Sequence, residues 1–279
     1  MTFSEQPKTK NKKKKKKKRK SSVGSFFATF FLTLFAFCGV GVVMLIFASE
    51  QLNFTLPGNW FSGQQTTSYP EHPVDTYGLV GESAAVADSY FEDAVFVGDS
   101  LTHGMKMYDK MVGTSYGVTG ISVSDAIWRD KYTLKSGSMG TAVDAASELN
   151  PGKIYLMFGT NGVNYMYDYT PILEDYKVLI QHIRQKNPDA LIYVQSIPPV
   201  TQGYSYAYPR LKPENIQKYN GMLKEMTETE QCYFLDSYSV LSTESGHLPQ
   251  MYTSDSGLHI NNKAYDAMFG YIKSHTVKK

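Results

Sequence analysis

Four short stretches of the 279-residue chain carry side chains that could act together on an ester. Ser100 stands in Gly98-Asp99-Ser100-Leu101-Thr102, directly after an apolar run. A serine at a strand-to-helix turn has an exposed oxygen beside backbone N–H groups, and the helix start favours negative charge. Gly120 closes Gly117-Val118-Thr119-Gly120, Asn161 lies in Gly159-Thr160-Asn161-Gly162, and Asp255 and His259 bracket Asp255-Ser256-Gly257-Leu258-His259. A hydroxyl nucleophile, an imidazole base, a carboxylate and two oxyanion donors (a glycine N–H and an asparagine amide) are the groups that acyl transfer requires. Asp99 is expected to brace the nucleophile turn, and His103 to lie near the same rim.

Other chemistries are poorly supported. Thr102 replaces the final glycine of a G-x-S-x-G elbow. There is no G-x-x-x-x-G-K phosphate loop and no H-E-x-x-H. The six histidines do not cluster at ligand spacings, so neither a metal nor a cofactor is expected.

The positioning elements follow from the apolar pattern. Ala94-Val95-Phe96-Val97, Ser115 to Val118, Lys153 to Phe158, Leu191 to Gln195 and Tyr233 to Leu235 read as five strands, mostly apolar throughout. Between them lie helical stretches: one capped by Ser122 or Ser124 and running to Trp128, then Thr141 to Leu149, Pro171 to Lys186 and Pro213 to Glu228, with Asn262 to Ser274 last. The Pro171 helix has Thr170 as its expected cap and an apolar face of Ile172, Leu173, Tyr176, Leu179, Ile180 and Ile183. Strands buried on both faces and alternating with helices imply a parallel sheet with right-handed crossovers. The expected α/β object is a three-layer αβα sandwich of about five strands, with the ligand beyond the strands' carboxyl ends. All four stretches fall on that rim.

With these residues in place the body resembles the SGNH, or GDSL-type, hydrolases, which are flavodoxin-like sandwiches with four sequence blocks. Val97 to Thr102 resembles the first block, Gly120 the second, Gly159-Thr160-Asn161 the third and His259 the last. Gln195 to Val200 and Ile216 to Asn220 look like segments of bacterial acetylesterase-like members; the likeness runs from about Asp88 to His275. The resemblance implies Ser100 as nucleophile, His259 as base, and an oxyanion hole of the Ser100 and Gly120 N–H groups with the Asn161 amide. Two positions depart from it. Gly162 stands where the third block usually continues with aspartate. Ser256 stands three residues before His259, where the family has its acid, and Asp255 lies one residue further back. A loop with one extra residue brings Asp255 to the imidazole; otherwise a backbone carbonyl or Ser256 orients His259 in a dyad, or the chain is an inactive binding relative.

Tyr165 and Tyr167 follow Asn161, and Tyr204 follows the fourth strand, in loops that leave the same rim. Amphipathic rings there suit a sugar or a mixed polar–apolar substrate.

The first 87 residues read differently. Lys8 to Lys20 holds eleven basic residues, and Val23 to Ala48 is 26 residues without a charge. That is a span's length, longer than the apolar core of a cleaved signal. The expected organisation is a cytoplasmic polybasic tail (1–22), a transmembrane signal anchor (23–48), an extracytoplasmic Gln/Thr/Ser/Pro/Gly-rich stalk (49–87) and the hydrolase-like domain (88–279). The charge run stays inside and binds anionic lipid. Cys38 in the span and Cys232 in the body cannot meet, so no disulfide is expected, and Cys232 reads as a small buried apolar residue. From residue 21 onward 17 basic residues face 25 acidic ones, a balance of −8, which disfavours a nucleic-acid partner. The expectation is a cell-surface esterase, of a Gram-positive bacterium, acting on O-acetyl esters of envelope or capsular glycan. An O-acetyltransferase or a non-catalytic envelope-binding protein are the alternatives.

Overall fold

In a parallel sheet covered on both faces, odd and even residues of each strand enter different cores. The computed structural model, which describes residues 77–108 and 112–277, has this alternation throughout. Its strands are β1 (Gly78–Leu79), β2 (Ala94–Gly98), β3 (Thr114–Gly117), β4 (Tyr132–Thr133), β5 (Met139–Gly140), β6 (Lys153–Met157), β7 (Leu191–Gln195) and β8 (Tyr233–Leu235). Val95, Val97, Ile154, Leu156, Ile192, Val194 and Phe234 enter an aliphatic core. Ala94, Phe96, Tyr155, Met157, Leu191, Tyr193, Tyr233 and Leu235 enter a core on the other face. There the rings of Phe96, Tyr155 and Tyr193 stack at 4.5 and 4.6 Å between centroids, with Tyr233 tilted onto Tyr193. Such a cross-strand ladder adds ring–ring attraction to the area that each side chain buries.

The helices are α1 (Ser100–Gly104), α2 (Val123–Trp128), α3 (Ala142–Ser147), α4 (Thr160–Tyr165), α5 (Thr170–Lys186), α6 (Gln202–Ala207), α7 (Pro213–Thr229), α8 (Ser237–Leu241) and α9 (Asn262–Lys273). α2, α3, α5 and α7 supply the aliphatic core, and α1 and α9 pack on the aromatic face. All six expected apolar residues of α5 are buried.

All strands of the main sheet pair in parallel, in the order β1-β8-β7-β6-β2-β3. The five expected strands take the flavodoxin-like order, with the reversal of connection at β2. The sheet has six strands, not five, because Gly78–Leu79 pairs with Tyr233–Phe234 at its edge. Residues 77–87, assigned from composition to a stalk, therefore begin the sheet and are tied further by Val86 N–H donating to Lys273 O (2.9 Å). They belong to the compact unit Ser68–Lys279. A separate antiparallel pair, β4–β5, was not foreseen.

Local capping also departs in one place. Ser122 and Thr141 cap α2 and α3 as expected, Thr141 in a reciprocal capping box with Asp144. Thr170 instead is the first residue of α5, and its N–H is taken by Asp168 Oδ1 at 3.0 Å. An Asx acceptor two residues ahead replaces the hydroxyl cap, leaving Pro171 inside the first turn. Cys232 is fully buried, beside Arg184 Nη2 at 3.2 Å from its Sγ, and burial pushes its thiol up to about 12.

The polybasic tail, the apolar segment 23–48, Cys38 and the stalk up to residue 76 lie outside the described residues. Among the described residues, no helix is long and apolar enough to cross a membrane.

Candidate active site

Ser100 is carried out of the sheet at the place where the connections reverse direction. β2 ends at Gly98, and Asp99 caps α1 with one carboxylate oxygen on Leu101 N–H at 3.0 Å. The turn has no room for side chains: a Cβ on Gly98 would stand 2.1 Å from Thr102 Oγ1, and one on Gly117 2.0 Å from the His103 nitrogen. The glycines thus let α1 start immediately against β3. Asp99 is buried, and desolvation raises its carboxyl to about 7 although Leu101 N–H and the nearby His259 favour the charged form. It braces the turn, as expected, through Oδ1, and its other oxygen, Oδ2, is buried without a hydrogen-bond partner among the described residues.

His259 comes from the loop between a 3₁₀ turn, Gln250–Tyr252, and α9. Thr253 and Ile260 form an antiparallel bridge, and Ser254 N–H donates to His259 O at 2.9 Å, so the intervening residues form a closed loop. Inside it Asp255 Oδ1 accepts from the backbone N–H groups of Gly257 (2.8 Å), Leu258 (3.0 Å) and His259 (3.1 Å). Its other oxygen, Oδ2, lies 2.6 Å from His259 Nδ1. His259 Nε2 lies 3.0 Å from Ser100 Oγ. The count that put the acid at Ser256 fails for a backbone reason. Gly257 has φ +128°, a conformation that favours glycine, and with it the loop turns Asp255, four residues back, onto the imidazole. Gly257 also sits against Thr201: a Cβ would meet Thr201 Oγ1 at 1.9 Å, and Gly257 O accepts Thr201 N–H.

The electrostatics fix the proton positions. Partial burial alone would raise the Asp255 carboxyl, but the N–H donors and the His259 side chain outweigh it and hold it at about 2. An ionised carboxylate can only accept, so Nδ1 donates to Asp255, and Nε2 is the nitrogen that faces the Ser100 hydroxyl. The two side chains remain about a third exposed, 37% and 35%, so solvent and substrate reach the relay directly.

The oxyanion donors expected from sequence come from separate elements, each of which follows a strand of the main sheet. Gly120 has φ +75° with open space where a side chain would be. Asn161, in the first turn of α4, donates one amide hydrogen to Ile121 O at 3.0 Å. That bond ties it to the loop carrying Gly120 and leaves its second N–H for a ligand. Ser100 opens α1, where a backbone N–H has no partner within the helix. Gly162, which stands where the family usually has aspartate, packs closely on α5: a Cβ there would lie 2.5 Å from Ile172 Cδ1 and would push that side chain aside.

An open cleft of about 690 Å³ runs from Ser100 and His259 between α1, Thr119 and the start of α9, with His103, Met107, Lys263 and Tyr265 among its walls. Lys263 carried no signal in the sequence, because a lysine near a helix start reads as a solvated residue. Tyr165, Tyr167 and Tyr204 do not line this cleft. Tyr165 and Tyr167 are exposed, Arg210 lies 4.3 Å over the Tyr167 ring, and Tyr204 stacks on Tyr208. Tyr204 lies against the loop of the relay, where a Cβ on Gly257 would stand 3.0 Å from Tyr204 Cβ.

This is the fold and relay of a serine ester hydrolase, and a sequence model of the GDSL-like lipase/acylhydrolase family matches residues 96–267. The chain belongs to that family. Similar folds include a Streptococcus pneumoniae structure provisionally described as a platelet activating factor (23% identity, 65% of this chain and 82% of that one, TM-score 0.53). A GDSL-like lipase from Bacteroides thetaiotaomicron is also similar (16% identity, 67% and 90% covered, TM-score 0.50). Over 118 residues the chain is 31% identical to the N-acylneuraminate cytidylyltransferase of Escherichia coli O18:K1:H7 (strain RS218 / NMEC). That match takes in 41% of this chain, which spans 26% of the relative's length.

Proposed function

We propose that the protein is a membrane-anchored, extracytoplasmic esterase that removes O-acetyl groups from glycans of the cell envelope. The observation that carries the catalytic part is the unbroken series Asp255 Oδ2, His259 Nδ1, His259 Nε2 and Ser100 Oγ, with spacings of 2.6 and 3.0 Å, opening on a cleft. His259 takes the Ser100 proton as Oγ attacks the ester carbonyl, and Asp255 stabilises the imidazolium that forms. The N–H groups of Ser100 and Gly120 and the free Asn161 amide hydrogen receive the developing oxyanion. His259 then protonates the departing alcohol, and water attacks the acyl-enzyme by the same route in reverse.

The anchoring part rests on the sequence of residues 8–48, an eleven-cation run ahead of 26 uncharged residues. A hydrolase held at the outer face of the membrane stands beside the envelope glycan. The exposed Tyr165 and Tyr167 and the half-buried Tyr204 offer flat rings to a sugar chain. The non-catalytic alternative drew its support from Ser256, and that support goes once Asp255 stands at the imidazole.

The test is acetate release from an O-acetylated envelope polysaccharide by the full chain in neutral detergent. The expected result is release that Ser100→Ala lacks. Turnover of small aryl acetates with no release from any acetylated glycan contradicts the substrate assignment, and acetyl groups appearing on an added glycan instead of in solution make the protein a transferase.

A further inference from the structure

The cleft beside Ser100 differs in charge from the body that carries it. From residue 21 onward the chain has 17 basic and 25 acidic residues. Yet the residues lining the cleft include Lys263, His103 and His259 and no carboxylate, while Asp255 lies behind His259, 2.6 Å from its Nδ1.

Lys263 is oddly placed. It is the second residue of α9, and its backbone N–H is bound by the Asn261 cap at 3.0 Å. A helix start favours anions and disfavours cations, so the lysine adds to a positive end instead of offsetting a negative one. Nor does the protein compensate it. Lys263 is exposed and forms no ion pair among the described residues. Asp266, one turn on, is bound by the Tyr108 hydroxyl at 2.6 Å. On the facing wall, His103 Nδ1 lies 3.1 Å from Gly117 O. A carbonyl only accepts, so Nδ1 is the donor in that bond.

An uncompensated cation at the unfavourable end of a helix, on the wall of a cleft without carboxylates, has a simple reason if the substrate supplies the anion. We propose that this cleft is an anion subsite: the ester opened by Ser100 carries a carboxylate or phosphate group, which lies against Lys263 with His103 opposite. The inference rests on the esterase reading and narrows its substrate class to acidic glycan esters.

The experiment uses the full chain in neutral detergent with three aryl acetates: methyl 4-acetoxybenzoate, 4-acetoxybenzoate and 4-acetoxyphenyl phosphate. Each kcat/KM is divided by that ester's rate with hydroxide, and Ser100→Ala supplies the blank. We expect at least one anionic ester to be favoured over the neutral one by about fivefold at low salt, the scale of a partly exposed ion pair. The advantage shrinks toward unity in about 1 M salt. Lys263→Ala removes it, Lys263→Glu reverses it and Lys263→Arg retains it. The better of the two anionic esters tells carboxylate from phosphate. Turnover of all three esters with a ratio that neither salt nor Lys263→Glu changes overturns the anion subsite and leaves the esterase standing. No turnover of any ester, the neutral one included, overturns the esterase reading and the subsite with it.

Discussion

Alanine at Ser100 lowers kcat/KM for p-nitrophenyl acetate by about 10⁴-fold or more, and His259→Ala does nearly the same. Each variant removes one end of a single proton-transfer pair 3.0 Å long. Losses from members of one relay therefore overlap, and the double variant is hardly slower than either single one. The fold is unaffected in Ser100→Ala, because the hydroxyl's hydrogen-bond partner is His259 at the cleft surface and no core contact is lost. Kinetics and thermal unfolding of the same preparations check both statements together. A Ser100→Ala enzyme with more than about a hundredth of parental activity and an unchanged unfolding temperature rules out Ser100 as the nucleophile.

Asp255→Asn has the second large effect, about 10²- to 10⁴-fold in kcat, while Ser256→Ala stays within about twofold. The asparagine carbonyl can still accept the N–H groups of Gly257, Leu258 and His259, so the loop keeps its shape. What it cannot do is accept from Nδ1 with its NH₂ end. Presented with that donor, His259 adopts the other tautomer and loses the Nε2 lone pair that Ser100 needs. The loss falls in kcat rather than KM, since no substrate contact changes. Acid conditions add a second readout. The Asp255 carboxyl sits at about 2, below its ordinary 3.8. Its stabilising contribution is therefore present above pH 3.8 and disappears as pH falls through 2, and Asp255→Asn removes that part of the acid sensitivity. Equal losses from Asp255→Asn and Ser256→Ala point to loop damage instead of a positioned carboxylate.

How far the sequence was legible depended on what each segment had to bury. β2, β6 and β7 sit mid-sheet with both faces covered, which demands unbroken apolar runs, and Val95–Val97, Ile154–Met157 and Leu191–Val194 stand out as such. β1 is two residues long and owes its existence to pairing with β8, a contact about 155 positions away that leaves no local pattern. α4 and α6 consist largely of Gly, Asn, Ser, Thr and Tyr and read as loops; their helical turns come from packing onto α5, α7 and the turn before it.

The site divides along the same line. Ser100, Gly120 and Asn161 stood out because each follows a strand end with its own glycine signature, and His259 because it stands two residues after Gly257. Asp255 stayed ambiguous because residue counting cannot see the φ of Gly257. The cleft itself was invisible, since its walls come from α1 and α9, more than 150 residues apart, and neither His103 nor Lys263 differs locally from an ordinary surface residue.

The central claim is that Ser100 becomes acylated through a His259 base. Its most direct test is covalent: treat the full chain with a fluorophosphonate ester, which phosphonylates activated serines, and locate the adduct by intact-mass measurement and peptide mapping. The prediction is one adduct per chain, on Ser100, absent in His259→Ala and slow to form in Asp255→Asn. An enzyme that turns over aryl acetates yet takes no adduct, or takes it on another residue, contradicts the account.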